Sequence, residues 1–319
     1  MKSRQGGLTI VELMVSLGLG LLVAAAAMAL LLSSKASYVV HDEAALLQET
    51  GRYATEVMAR GLRQAGYENW GRDASAILNT PEVSASIAGL DARSLKETET
   101  GIDFPLMKSI NGSDVLAIRF IGTGARPNGD GMTLNCGGFG VAEPMDLEVD
   151  RGWNIFYVAA DKSGEPELRC KYFGKTAWTS EAIARGVESL QVLYGIDTDA
   201  DGMPNQFLKA ATIHDLDQAL VLVGNNAFER NIDRNRKTHW KKVVVVKLAF
   251  LVRGSQDAYM GTLASQYDLF GSHYADLNGA HDIGTRIKVE SLPSSTRKRL
   301  RKVFSLTVQL RTHVAGGGA

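Results

Sequence analysis

Gly7-Leu8-Thr9-Ile10-Val11-Glu12-Leu13 opens the stretch whose reading decides the fold. Residues 1–6 ahead of it are short, polar and basic, with Lys2 and Arg4. After it, the chain to Leu32 is almost wholly apolar, and residues 13–32 carry no charge. Twenty residues of helix at about 1.5 Å rise cover about 30 Å, the hydrocarbon thickness of a bilayer. The two leading cations place the N-terminus in the cytoplasm and the rest of the chain beyond the membrane. A secretory signal peptide ending near Ala27-Met28-Ala29 would share this outline, and so would a plain single-span anchor. Neither explains Glu12. A carboxylate costs roughly 2.5–3.5 kcal/mol at the centre of a membrane helix and less near its end, so an acid retained there points to a partner and a role.

The helical pattern runs on beyond the apolar stretch. Residues 33–66 lack proline, and only Gly51 and Gly61 interrupt a helix-forming composition. Val39, Leu46 and Tyr53 step by seven, and Val57 and Leu62 extend the stripe. Asp42, Glu43, Gln48, Glu49, Arg52, Glu56, Arg60 and Arg63 lie between them, as in an amphipathic helix with one buried face. Gly66 stands where a helix-ending glycine is expected.

Three strings carry a family resemblance. Gly7-Leu8-Thr9-Ile10-Val11-Glu12 resembles the type IV prepilin signal, in which a prepilin peptidase cuts after the glycine and the new first residue is N-methylated. Leu8 stands where that family usually has Phe. The resemblance implies cleavage after Gly7, methylation of Leu8, and a Glu12 that pairs with the new amine on its own chain or on a neighbour, offsetting the cost of holding both charges in an apolar place. Loss of the leader removes Lys2 and Arg4 and leaves the side-chain charge slightly acidic. Gln48-Glu49-Thr50-Gly51-Arg52-Tyr53 and Leu62-Arg63-Gln64-Ala65-Gly66-Tyr67 then resemble the PilW family of minor pilins. Some members carry a cysteine just after the Gly-Tyr; Glu68-Asn69-Trp70-Gly71 stands there in this chain. The Val187–Gly202 stretch with its Tyr194–Gly202 core, Val246–Arg253 and Arg301–Arg311 extend the resemblance toward the C-terminus, while residues 70–110 and 209–240 do not contribute.

The rest reads as a β-rich head. Strands are expected at Asp114–Phe120, Met132–Cys136, Trp153–Val158, Glu167–Phe173, Val187–Tyr194, Lys241–Arg253 and Val303–Arg311, with a hairpin turn at Lys162–Glu165. Trp70–Ile110 is expected to be loop with short helical pieces, Ala210–Val223 a short helix, and Gly316–Ala319 a tail. The predicted class is α+β and pilin-like: a long N-terminal helix, first transmembrane and then amphipathic, packed on a large, mostly antiparallel sheet. The expected divisions are a leader at 1–7, a membrane half at 8–32, an amphipathic half at 33–66 and a periplasmic head at 67–319.

Composition narrows the function. Of 319 residues, 35 are Lys or Arg and 35 are Asp or Glu, so the net charge is zero. A general nucleic-acid binder needs a basic excess, which makes nucleic acid an unfavoured partner. A mean hydropathy of −0.07 excludes a multi-span membrane protein. Cys136 and Cys170 lie in the oxidising compartment, where a disulfide is favoured; closing a loop of 34 residues, it would stabilise by ~2–4 kcal/mol. Two separate buried thiols are the alternative.

Asp197, Asp199, Asp201, Met203 (through its carbonyl) and Asn205 occupy loop positions one, three, five, seven and nine around Gly202, the front of an EF-hand-type calcium loop. Position twelve is Leu208 in place of the bidentate glutamate, and a polar turn is the alternative. No cofactor is required, and calcium is the one candidate. The six histidines, His41, His214, His239, His273, His281 and His313, lack zinc-ligand spacing. His273 and His281 could converge with Asp276 and Asp282, though a turn-rich loop explains them better. There is no nucleophile elbow and no phosphate-binding loop, and the chain is not read as an enzyme. The basic run at 297–302 is expected to be the solvated start of a strand.

The expected function, implied by the resemblance, is that of a minor pilin that helps initiate a type IV pilus, at its tip, in support of adhesion and twitching motility. Its partners would be other minor pilins, the major pilin, the inner-membrane assembly platform and the prepilin peptidase. It would sit in the inner membrane by a single span before entering the pilus. A J-type minor pseudopilin of type II secretion is the nearest alternative. A tethered calcium-binding adhesin or sensor is the alternative of another class, and a secreted enzyme with a cleaved signal peptide is a third.

Overall fold

The computed structural model describes residues 9–66, 82–257 and 264–310. Gly7, Leu8, the Glu68–Gly71 stretch, His313 and the Gly316–Ala319 tail lie outside the described residues. One helix, α1 (Ile10–Gln64), takes up 55 residues and spans about 80 Å at 1.5 Å per residue. It meets the length and composition needed to cross a membrane, and its most apolar part is wholly exposed. Ala65 caps it by donating its N–H to the Leu62 carbonyl, and Gly66 follows at φ +68°, the left-handed conformation expected of a terminal glycine.

Only the second half of α1 is buried. Glu43, Leu47, Gly51, Ala54, Met58 and Leu62 recur every three or four residues and face the head. The expected stripe holds at its far end, where Leu62 is buried and Val57 packs against the core, but nearer the membrane it lies one position away: Leu46 and Tyr53 are 46% and 57% exposed. Stepping by seven along 3.6-residue turns follows two adjacent faces equally well, and the smaller residues proved to be the packed ones.

The head is built on two antiparallel sheets, each a layer over the same core. The first contains β1 (Ile87–Leu90), β4 (Val115–Phe120), β5 (Gly152–Ala160), β6 (Pro166–Phe173) and β7 (Trp178–Arg185), hydrogen-bonded in that spatial order. A short ribbon of β2 (Ser94–Leu95) and β3 (Pro105–Leu106) adjoins it. The second runs β13 (Arg299–Gln309), β10 (Val243–Asp257), β8 (Val187–Ile196) and β9 (Gln206–Leu208). A ribbon of β11 (Gln266–Asp268) and β12 (Arg286–Lys288) contributes to the outer side of that sheet. Met58 and Leu62 of α1, Phe156 of β5, and Leu190 and Phe250 of the second sheet belong to one continuous core. Each fully buried side chain of this size contributes about 1.5–3 kcal/mol. Helices α2 (Ala210–Gln218), α3 (Ala227–Lys237) and α4 (Ser272–Asn278) decorate the surface.

The α+β class, the long helix and the five strands expected at 114–120, 153–158, 167–173, 187–194 and 241–253 are all present. The last strand starts earlier, at Arg299. Four expectations need correction. Residues 70–110 contain β1, a strand too short and small-sided to show a period; Gly89 in it leaves room for the Tyr194 hydroxyl, which a Cβ there would strike. Met132–Cys136 forms one bridge, Leu134 to Gly140, because Gly129, Gly131 and Gly138 take positive φ and turn the chain. Strand β7 was not anticipated, since its edge position lets it carry Thr, Ser and Glu. Strand β8, whose Val187–Tyr194 sequence reads as alternating apolar and polar residues, does not alternate in burial: all ten residues are buried, with Gln191 on the side away from the main core donating to the Gly112 carbonyl at 2.8 Å.

Candidate assembly site

The features that bear on assembly lie along α1, from its tip to the place where it enters the head. At the tip, Glu12 and Thr9 form a capping box. The Glu12 carboxylate accepts from the Thr9 backbone N–H and hydroxyl, both at 3.0 Å, and the Thr9 oxygen accepts from Glu12 N at 3.3 Å. Within one chain, Glu12 thus satisfies a backbone donor that the helix start would leave bare in an apolar surrounding. The same carboxylate stands four positions along the chain from Leu8, which lies outside the described residues. From Ile10 to Leu32 the large apolar side chains are all exposed, as befits a segment whose contacts are supplied by lipid or by other helices.

Where the helix meets the head, Glu43 is buried and its carboxylate closes on β10: Oε2 accepts from Ser255 N at 2.8 Å and Oε1 from Ser255 Oγ at 2.7 Å. Gly254 makes that approach possible, because a Cβ there would strike Oε2. Two turns on, Gly51 seats the Phe304 ring of β13, which stacks on Phe250 at 5.5 Å and 15°. Lys302 reaches Gln48 Oε1 at 2.5 Å. Gly61 lies close to Phe156, which a Cβ would approach to 3.0 Å. At the far end Gln64 donates to the Leu134 carbonyl at 3.0 Å and accepts from Asn154 Nδ2 at 2.8 Å, while Asn154 Oδ1 accepts from Cys136 N at 2.7 Å.

Cys136 and Cys170 form the disulfide, with Cα atoms 6.4 Å apart across 34 residues. Cys170 sits on β6 in the main core, so the bond fastens the glycine-rich 122–140 loop beside the C-terminal end of α1.

The expected solvated strand start at 297–302 is overturned in one respect. Arg301 is buried, donating to Glu188 at 2.6 Å from Nε and 3.2 Å from Nη2. Arg253 donates to the same carboxylate at 3.0 Å and also pairs with Glu165. One buried acid between two arginines ties β8, β10 and β13 together. Sequence reasoning missed it, as it missed Glu43; for Glu43 the usable signal was a charge whose neighbours three and four residues away, Val39, Val40, Leu46 and Leu47, are apolar.

The candidate calcium loop has its front half in place: Asp197, Asp199 and Asp201 bring one oxygen each within 4.8 Å of one another. Burial pushes the Asp197 carboxyl up, but the backbone N–H groups of Gly202, Ala200 and Asp199 that it accepts together outweigh burial and hold it below the usual range. Met203 N donates to Asp201, and the Asn205 amide spans Thr198 and Asp199. Leu208 on β9, where the closing acid should stand, pairs with Tyr194 of β8 and offers no carboxylate ligand. The donor set falls short of a full calcium loop. His273, His281, Asp276 and Asp282 do not converge: Asp276 pairs with Arg286 and Asp282 accepts from Tyr274.

Comparison with known proteins gives two family matches. The family model for type IV pilus-assembly protein W matches residues 155–312, from β5 through β13. The model for the prokaryotic N-terminal methylation motif matches residues 2–28. The helix strings at 48–53 and 62–67 fall outside both matches. No curated protein matches the chain. Among solved structures, the type IV-like pilin TTHA1219 from Thermus thermophilus is similar at 16% identity, covering 84% of this chain and 94% of that one with a TM-score of 0.36. The second half of the chain thus matches the family of type IV pilus-assembly protein W, and its front matches a prokaryotic N-terminal methylation motif.

Proposed function

We propose that this chain is a minor pilin that is cut after Gly7, methylated on Leu8, held in the inner membrane with its head in the periplasm, and then drawn into the complex that starts a type IV pilus. In this reading it works at or near the tip, beside other minor pilins, and supports adhesion and twitching motility. Its work is mechanical and not catalytic: the exposed apolar half of α1 packs among neighbouring helices, and the clamped half transmits force to the head.

The observation that carries the reading is the division of one unbroken helix into two halves. The first is apolar and exposed, with Glu12 as its only acid, and the second is locked into the head through Glu43, Gly51 and Gln64. A secreted enzyme would have no use for the clamp, and a tethered sensor would have no use for Glu12. The test is complementation of a deletion strain with Glu12→Ala. Loss of surface pili with normal protein level and normal membrane insertion is the expected result. Full piliation by the variant would overturn the reading. Co-purification with pilus components, as against components of type II secretion, separates the two machines.

A further inference from the structure

A groove of about 810 Å³ lies on the first sheet beside β7, on the side away from α1. Roughly 300–1,000 Å³ is usual for a small-ligand site. Four aromatic rings line it, Phe139, Trp153, Phe173 and Trp178. Phe173 and Trp178 are direct cross-strand partners with ring centroids 5.9 Å apart, and Trp153 meets Trp178 edge-on at 5.9 Å. Phe173 is 48% exposed and both tryptophans are partly so. The chain has only four tryptophans, and two of them meet here at a surface. Exposed rings gathered in a concave place mark a binding surface more often than a core.

The charges are uneven. Lys175, in the turn between β6 and β7, is exposed and has no partner among the described residues. Arg119 lies 4.6 Å over Trp153, and its Nε is buried without a hydrogen-bond partner among the described residues. Arg151 is wholly buried, and its Nη1 is likewise unpartnered. Both guanidinium groups donate to Ser84 Oγ, at 2.7 and 2.6 Å. Burial first, and then the Arg119 charge, hold Arg151 down to about 9. Glu148 is the shared counter-charge, 3.4 Å from one and 4.0 Å from the other, and Asp103 also acts on Arg119.

We infer that this groove binds an acidic saccharide, with the C–H faces of its pyranose rings against Trp153, Phe173 and Trp178 and its carboxylates toward Lys175 and the Arg119 end. Aromatic faces suit the apolar side of a sugar, and the fixed cations select a carboxylated one over a neutral one. A nucleic acid fits less well, because Asp103, Glu148 and Asp150 also line the groove and would oppose a continuous phosphate chain. The inference does not rest on the pilus reading; an acidic-sugar site would function on a head held at the membrane as well as on one carried by a filament.

The test uses the full-length chain in nanodiscs, with oligogalacturonate as probe and a neutral cello-oligosaccharide of equal length as control, read by tryptophan fluorescence and calorimetry. Saturable binding of the acidic oligomer alone is expected, about tenfold weaker for Trp178→Ala and for Lys175→Glu. Lys175 is exposed, so its variant leaves packing intact should Trp178→Ala fail to fold. No binding by the unaltered chain, equal binding of the neutral oligomer, or an unchanged affinity in Lys175→Glu would overturn the inference.

Discussion

Gly51→Ala puts the helix–head clamp to a test whose sign is worked from the structure. In an exposed helix, this change stabilises by about 1 kcal/mol, because glycine is the poorer helix former. Here the new Cβ would fall inside the Phe304 ring. That ring cannot swing aside freely, since it stacks on Phe250 and has Lys302 5.5 Å from its centroid. Overpacking of this kind costs about 1–3 kcal/mol, so the expected net effect is a loss of about 1–2 kcal/mol despite the better helix propensity. Phe304→Ala empties the space. In that background Gly51→Ala should regain its propensity effect and stabilise by about 1 kcal/mol, a coupling of about 2–3 kcal/mol between two residues 253 positions apart. The assay is denaturant unfolding of the four full-length proteins in detergent, followed by tryptophan fluorescence. A stabilising Gly51→Ala in the unaltered background, or the same shift in both backgrounds, would refute the packing argument.

Two further outcomes follow from the head. Cys136→Ser with Cys170→Ser should lower stability by about 2–4 kcal/mol and expose the 122–140 loop to protease; an unchanged unfolding midpoint would show that the bond constrains little. Burial raises the carboxyls of Asp91, Asp114 and Asp282 above the ordinary aspartate value of 3.8, and the Asp91 charge raises Asp114 and Asp282 further. The folded state then binds more protons than the unfolded one, so the stability these groups confer is complete below 3.8 and is lost as pH climbs through their raised values. The head should unfold more easily at pH 8 than at pH 5, and Asp282→Asn, which can still accept from the Tyr274 hydroxyl, should flatten that slope. A slope unaltered in the variant would remove Asp282 from the account.

Much of this molecule was legible because its strongest signals are local. An uncharged run of 20 residues fixes a helix by length and apolarity, and the continuous Val243–Val252 run fixes a central strand, whatever surrounds them. The pair Cys136 and Cys170 followed from compartment and count. What was hidden depends on which face a neighbour takes. The buried stripe of α1 went to Leu47, Gly51 and Ala54 because β10 and β13 approach closely enough to need a glycine, and Leu46 and Tyr53 were left outside. Arg301 looked like part of a solvated run until Glu188, 113 residues away, supplied its charge partner. Strand β1 carries too little side chain to announce itself, and the aromatic groove unites residues from three strands that no spacing rule connects.

The most direct measurement is the mass of the mature N-terminus. The full chain is co-expressed with a prepilin peptidase, recovered from the membrane fraction, and its N-terminal peptide is sequenced by mass spectrometry. An N-methylated Leu8 is the expected result and would establish the processing on which the minor-pilin reading depends. A chain beginning after Ala29, or still carrying Met1, would contradict it.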